Sequence, residues 1–311
     1  MTVLSLCGKL MLFILVGFFA RKTGVIADGY DQMLSRFLMA IPLPCMIITS
    51  FQIEYSPEDL ATFPMLLLAS IILVFLNFLL AQLIYVFIMK RSAIGRAVRF
   101  GLIFTNFTFF GLAVVNEVCG AHGVFYYVIF TLPIRIIFYS SAPLLLSDHS
   151  LHLERSSFVR TVISPPVISV FIGFMLYVLR LSLPGIVNDT IKTLGNMASP
   201  IGLMLCGSII ADANWAGIKN YPCVVWVVLL RLVVIPGLVL LCFSLLDVKD
   251  ELSDTLIYYF AMPVASLLPT FCLRYNPDEP EARIAGSYMV VVSTLLSILT
   301  IPLWSIIKDI L

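Results

Sequence analysis

Long, nearly uninterrupted apolar blocks separated by short charged segments dominate this chain, and they remove most folds from consideration. Each block runs about 18 to 27 residues, and roughly 20 apolar residues carry a helix across a ~30 Å hydrocarbon core. Inside a bilayer every backbone N–H and C=O must find its partner within the protein, which makes such blocks helices. They fall at residues 3–20, 34–51, 63–89, 100–118 and 123–146, then at 158–179, 191–211, 221–246, 256–273 and 284–307. The expectation is an all-α membrane protein with ten transmembrane helices. Its connecting loops are too short for a separate soluble domain.

Composition then excludes function classes. The chain is 60% hydrophobic and 12% charged, against about 25% charged residues in soluble domains. Nineteen Lys and Arg oppose eighteen Asp and Glu, so no basic surface points to a nucleic-acid partner. The cysteines (Cys7, Cys45, Cys119, Cys206, Cys223, Cys242, Cys272) stand singly, without a CxxC pair or a histidine at ligand spacing. They read as small core residues, and no metal or other cofactor is expected. The histidines, His122, His149 and His152, are placed in loops, and neither HExxH nor GxSxG occurs. An enzyme would need such groups facing one cavity. Residues 1–6 carry no basic residue, while Arg21 and Lys22 follow the first apolar block. That order reads as a retained first span and not as a signal peptide. Two glycosylation-type tripeptides begin at Asn106 and Asn188; the first lies inside a span.

Charge matters through its placement. The loops after spans one, three, five, seven and nine, with the adjoining span ends, hold twelve cations: Arg21, Lys22, Arg36, Lys90, Arg91, Arg96, Arg99, Arg155, Arg160, Lys219, Arg274 and Arg283. The other side holds four, Arg180, Lys192, Lys249 and Lys308. Basic loops stay in the cytoplasm, so both termini are expected outside it, in a multi-pass protein of the cell membrane.

Ten spans with both ends on one side divide into two halves of five, and an odd number turns the second half over. Adding 158 to a first-half position carries Pro42 to Pro200, Met46 to Met204, Ser50 to Ser208 and Pro64 to Pro222. Residues 1–150 and 151–311 are therefore expected to be two inverted five-helix repeats. Transporters of this design bind substrate near mid-membrane, where broken helices release backbone groups. The fourth span reads Phe104-Thr105-Asn106-Phe107-Thr108-Phe109-Phe110-Gly111, with a polar amide and a glycine at its middle. The ninth reads Ala261-Met262-Pro263-Val264-Ala265-Ser266-Leu267-Leu268-Pro269, where two prolines cannot donate to the helix ladder. The same offset lays Asn106 on Val264 and Gly111 on Pro269, so the breaks in spans four and nine coincide. The remaining prolines of the spans read as kinks.

At these residues the chain resembles the auxin efflux carrier family of transporters, which includes bacterial organic-acid permeases and plant auxin carriers. The segment 105–111 sits where the family has Phe-x-Asn-x-Gly-Phe-x-Gly-x-Pro. The ninth span, with the trailing Tyr275-Asn276 and the ending at 294–302, looks like the family's last two helices. Thr108 replaces the first Gly, Ala113 the Pro, and Thr105 stands where plant members carry Pro. The resemblance covers the whole length. It implies a scaffold and a transport domain, each drawn from both repeats, with helices four and nine crossing at unwound middles. It also implies a small carboxylate substrate beside Asn106, moved by alternating access, and a homodimer joined through scaffold helices. The expected substrate-binding residues are Asn106, Thr105, Phe109, Gly111, Pro263, Val264, Ala265 and Arg135.

Three cations lie within spans, Lys9, Arg135 and Arg231, whereas every carboxylate falls at or near a loop. A charge at bilayer depth is a functional candidate by default. Arg135 either attracts an anion or bonds carbonyls freed at Pro133; Arg231 reads better as bonding carbonyls freed at Pro236, and Lys9 as snorkelling to the interface. Without a buried carboxylate to relay protons, the driving ion stays open. The leading expectation is a secondary transporter of a small organic anion such as malate, malonate or another weak acid. A sodium-coupled organic-anion symporter, of the related design found in bile-acid transporters, is the alternative.

Overall fold

The computed structural model describes residues 3–27, 29–147, 163–212, 215–245 and 251–310, and among them regular structure is helical apart from one isolated antiparallel bridge. The first half comprises α1 (Val3–Lys22), α2 (Tyr30–Ala40), α3 (Pro42–Ser50), α4 (Pro57–Leu83), α5 (Ala93–Ile103) and α6 (Leu112–Leu146). The second comprises α7 (Pro165–Val178), α8 (Gly185–Asn196), α9 (Ala198–Ala211), α10 (Cys223–Leu229), α11 (Ile235–Leu245), α12 (Glu251–Ala261), α13 (Leu268–Tyr275) and α14 (Pro280–Ile310). Wider π-helical turns extend α4 (Ile84–Ile88), precede α6 (Phe107–Gly111) and join α10 to α11 (Leu230–Val234).

Local sequence explains the starts and stops. Pro57 opens α4 behind Ser56, whose hydroxyl accepts from the backbone of Glu58 and Asp59, an N-cap followed by the one residue whose missing N–H costs nothing there. Ser92 caps α5 in the same way through Gly95. Six helical stretches among the described residues are long and apolar enough to cross a membrane: Met33–Ser50, Pro57–Ile88, Phe107–Leu146, Gly185–Ala211, Cys223–Leu245 and Pro280–Lys308. Leu68, Phe75 and Leu83 along α4 are exposed, an outward apolar face that suits lipid and not water.

Several expectations change here. The spans at 100–118 and 123–146 are not separated by an extended loop; helical residues run on through both in α6, interrupted at Gly120, whose φ of 64° and ψ of −159° only glycine adopts easily. The breaks expected in spans four and nine are present: neither 100–118 nor 256–273 is covered by one continuous helix. The beginning of the span at 158–179, with Arg155, Arg160, His149, His152 and Lys249, lies outside the described residues. His122 is not in a loop but in the helix just after Gly120, and it faces a carboxylate. Lys9 does not stand alone at an interface; its Nζ pairs with Glu117 at 2.6 Å.

Small residues let helices approach backbone to backbone. A Cβ on Gly17 would fall 2.0 Å from the carbonyl oxygen of Met204, and one on Gly207 would fall 2.0 Å from that of Ile14. Side-chain-free faces thus bring α1 onto α9, the packing that drives helix association where no hydrophobic effect operates. Elsewhere α7 packs on α3, α3 on α8, α4 on α6, α5 on α14, and α12 and α13 on α6. The core lies where α5, α6, α12 and α13 meet, around a cluster of Phe100, Phe104, Phe107, Phe138 and Phe271.

Candidate functional site

At the centre of this core two chain segments leave their helices opposite one another. α5 ends at Ile103, and Phe104 is extended at φ −113° and ψ 133°. α12 ends at Ala261, and Pro263, which has no N–H, stands in the next turn. Interrupting a helix at this depth strands polar groups that water cannot reach. The two breaks satisfy one another: Asn106 N donates to Pro263 O at 2.8 Å, Ala265 N donates to Phe104 O at 3.2 Å, and Thr105 pairs with Val264 in an antiparallel bridge. Val264 N donates to the Ser293 hydroxyl of α14 at 3.0 Å.

Beyond the bridge each segment becomes helical again. Asn106 caps the π-helical turn before α6, its Oδ1 accepting from Phe109 N at 3.3 Å and its backbone carbonyl accepting from Gly111 N at 2.8 Å. Leu268 N donates to Ala265 O at the head of α13. Two half-helix N-termini therefore open side by side, and such ends favour negative charge. Among the described residues the Asn106 amide nitrogen donates to the Cys206 sulfur of α9 alone, at 3.5 Å, and a thiol is a weak acceptor. Gly202 permits this approach of α9, since a Cβ there would lie 2.6 Å from Phe109 O.

Two spaces adjoin the crossing. A pocket of about 10 Å³ is lined by Thr105, Asn106, Thr108, Phe109, Tyr139, Ala265 and Ser266, among others; it is smaller than a carboxylate. Phe109 and Ser266 also border a vestibule of about 580 Å³, whose wall includes Arg21, Arg36, Asp212 and Thr270. Arg21 pairs with Asp212 at 2.8 Å, and Arg36 is exposed. At the end of the bundle that carries Asp59, a polar network ties helices together. Asp59, buried near the start of α4, accepts from Tyr126 at 2.5 Å and Tyr177 at 3.3 Å and faces His122 Nε2 at 3.2 Å. The expectation that no carboxylate is buried is thereby corrected. Tyr177 belongs to α7 and also bonds both backbone groups of Ser56, so this network joins α7 to α4 and α6.

Of the expected site residues, Thr105, Asn106, Phe109 and Ala265 line the small pocket, and Pro263 and Val264 supply the facing backbone. Gly111 sits one turn along, where a Cβ would fall 2.0 Å from the Tyr127 hydroxyl. Tyr127 uses that gap to donate to Phe107 O at 3.2 Å. Arg135, 2% exposed, donates to Thr108 Oγ1 at 3.3 Å and lies 5.2 Å from the centre of the Phe107 ring. It reaches the crossing through the π-helical turn and not through the carbonyls near Pro133. Arg231 is likewise not bonded beside Pro236: its Nη1 donates to Leu102 O, in the last turn of α5, at 3.1 Å. Ser266, Cys206 and Ser293 were not singled out from sequence, because a lone Ser or Cys in an apolar block carries no signal of what faces it.

No curated protein matches the chain significantly. The family described as membrane transport protein matches it twice, over residues 3–152 and 146–305, which together span nearly the whole length. The chain therefore belongs to that family of membrane transport proteins, the auxin efflux carriers.

Proposed function

We propose that this membrane transporter is a secondary carrier, without catalytic activity, that moves a small organic anion by alternating access, binding its carboxylate at the crossing. One observation carries the reading. Two half-helix N-termini open beside an amide whose nitrogen has only a weak sulfur acceptor, at the head of a vestibule large enough for a small metabolite. Ligand sites of about 300 to 1,000 Å³ are usual. An amide donates to a carboxylate without the desolvation cost of a buried charge, and the dipole ends add to the attraction.

The same proposal includes ten spans in two inverted repeats, both termini outside the cytoplasm of a cell-membrane protein, and a homodimer through the scaffold helices. Packing supports the repeat: α1 on α9 corresponds, on exchange of halves, to α7 on α3, and α4 on α6 to α10 on α14. In this orientation the vestibule, with Arg21 and Arg36, faces the cytoplasm, and the Asp59 network closes the outer side. Counterflow in proteoliposomes, over a panel including malate, malonate and benzoate, tests the reading. At least one labelled carboxylate is expected to accumulate against its unlabelled pool, in a manner that empty liposomes do not reproduce. Absence of counterflow for every carboxylate, with a folded and reconstituted protein, would remove the anion-carrier assignment.

A further inference from the structure

Beside the crossing, polar atoms are buried without a hydrogen bond of good geometry. Among the described residues Nε and Nη2 of Arg231, the Tyr259 hydroxyl and the Thr105 hydroxyl make no hydrogen bond of acceptable geometry. Arg231 and Tyr259 are wholly buried and Thr105 is 1% exposed. The three belong together: the Tyr259 hydroxyl faces the Thr105 hydroxyl, near but outside good hydrogen-bond geometry, and lies within electrostatic reach of the Arg231 guanidinium. No ion pair to Arg231 occurs among the described residues. A buried cation without a counter-charge is strongly unfavourable, and each buried unpaired polar group calls for an explanation.

Helix capping accounts for only part of this. Arg231 Nη1 bonds Leu102 O at the carboxyl end of α5, where a cation suits the helix dipole. That contact uses one nitrogen and leaves a whole edge of the guanidinium free. The Nε and Nη2 hydrogens of an arginine are parallel and form one of the forks that grip both oxygens of a carboxylate. Arg231 also sits in a π-helical turn, Leu230–Val234, a local widening that recurs at functional sites. Thr105 connects this cluster to the substrate pocket, because it lines that pocket together with Asn106. The four free atoms are all able to donate, so the group they match is an acceptor with two oxygens.

We propose that Arg231, Tyr259 and Thr105 form the carboxylate-gripping subsite of the crossing, which the substrate reaches when the Thr105–Val264 bridge parts. The inference rests on the reading that an organic anion binds at the crossing, and it assigns the charge that recognises the anion to Arg231. In the bridged state the fork is shut off from the vestibule; in the substrate-loaded state the Nε–Nη2 edge holds the carboxylate, with the two hydroxyls donating beside it.

The test uses variants of the full-length reconstituted protein, read by counterflow affinity and by melting temperature. The probes are malate, malonate and benzoate, each against its neutral amide. Tyr259→Phe and Thr105→Val remove hydroxyls that have no well-formed hydrogen bond, with little change of shape, so melting temperature should hold or rise. Affinity for the transported carboxylate should nevertheless fall about tenfold in each, as expected for loss of a hydrogen bond to a charged group, while any weak affinity for the amide changes less. Arg231→Lys, which keeps the charge and loses the fork, should weaken the carboxylate at least as much. If wild-type protein moves a carboxylate and Tyr259→Phe binds it with unchanged affinity, the subsite is disproved while the carrier reading stands. If the wild type moves none of the probes, the carrier reading fails and takes the subsite with it. Should Arg231→Lys not fold, Tyr259→Phe and Thr105→Val still decide.

Discussion

Asn106 carries two side-chain bonds of very different strength. Its carbonyl oxygen caps the turn that leads into α6, and its amide nitrogen rests on a sulfur. Capping and the proposed substrate contact would therefore use opposite ends of one group and not compete. Arg135 stands at the same turn, a buried cation beside a helix N-terminus that already carries positive partial charge. That juxtaposition is unfavourable until an anion arrives, and Arg135→Gln should accordingly weaken binding of a transported carboxylate more than that of its neutral isostere. Equal loss for both, with a lowered melting temperature, would mark Arg135 as a structural residue. At this scale the sequence disclosed what stands out against an apolar background: an Asn and an Arg inside spans are visible at once. It did not disclose partners. Arg231 bonds a carbonyl 129 positions away, and nothing nearby in the chain, Pro236 included, foretells that contact. Asp59 looked like an ordinary loop carboxylate because the tyrosines and the histidine that bury it come from α6 and α7.

Helix breaks were legible where chemistry forces them. Pro263 cannot donate and Asn106 favours a cap, so the interruptions at 104–106 and 262–267 fall inside the segments expected from sequence. The boundary between spans four and five was legible to within a few residues, but not that a single residue, Gly120, would make it with helix on both sides, since only its backbone angles distinguish this glycine. The contact of α1 with α9 was equally hidden, because Gly17 and Gly207 belong to different spans and no single motif joins them. A side chain at Gly207 would have to occupy the place of the Ile14 backbone. Gly207→Leu should therefore cost about 1 to 3 kcal/mol or more, the range for overpacking a close-packed contact. A melting temperature in detergent equal to wild type would show that α1 does not sit against α9 in this way.

For the molecule as a whole, two sequence signals of different kinds agree. The apolar blocks and the offset of 158 both divide the chain near its middle. The charge bias supplies orientation, which packing alone lacks. A reporter fused after Leu311 is expected to be active on the outer side; a cytoplasmic signal from an intact protein would contradict the ten-span arrangement. All of this serves one claim, that the crossing of the two broken helices is where substrate is held. The most direct measurement is the affinity of the Asn106→Ala variant for the carboxylate that the wild type counterflows. The account predicts a loss of about 1 to 3 kcal/mol, the cost of leaving a buried polar partner unmatched, in a variant that still inserts and remains monodisperse. Unchanged affinity would place the site elsewhere.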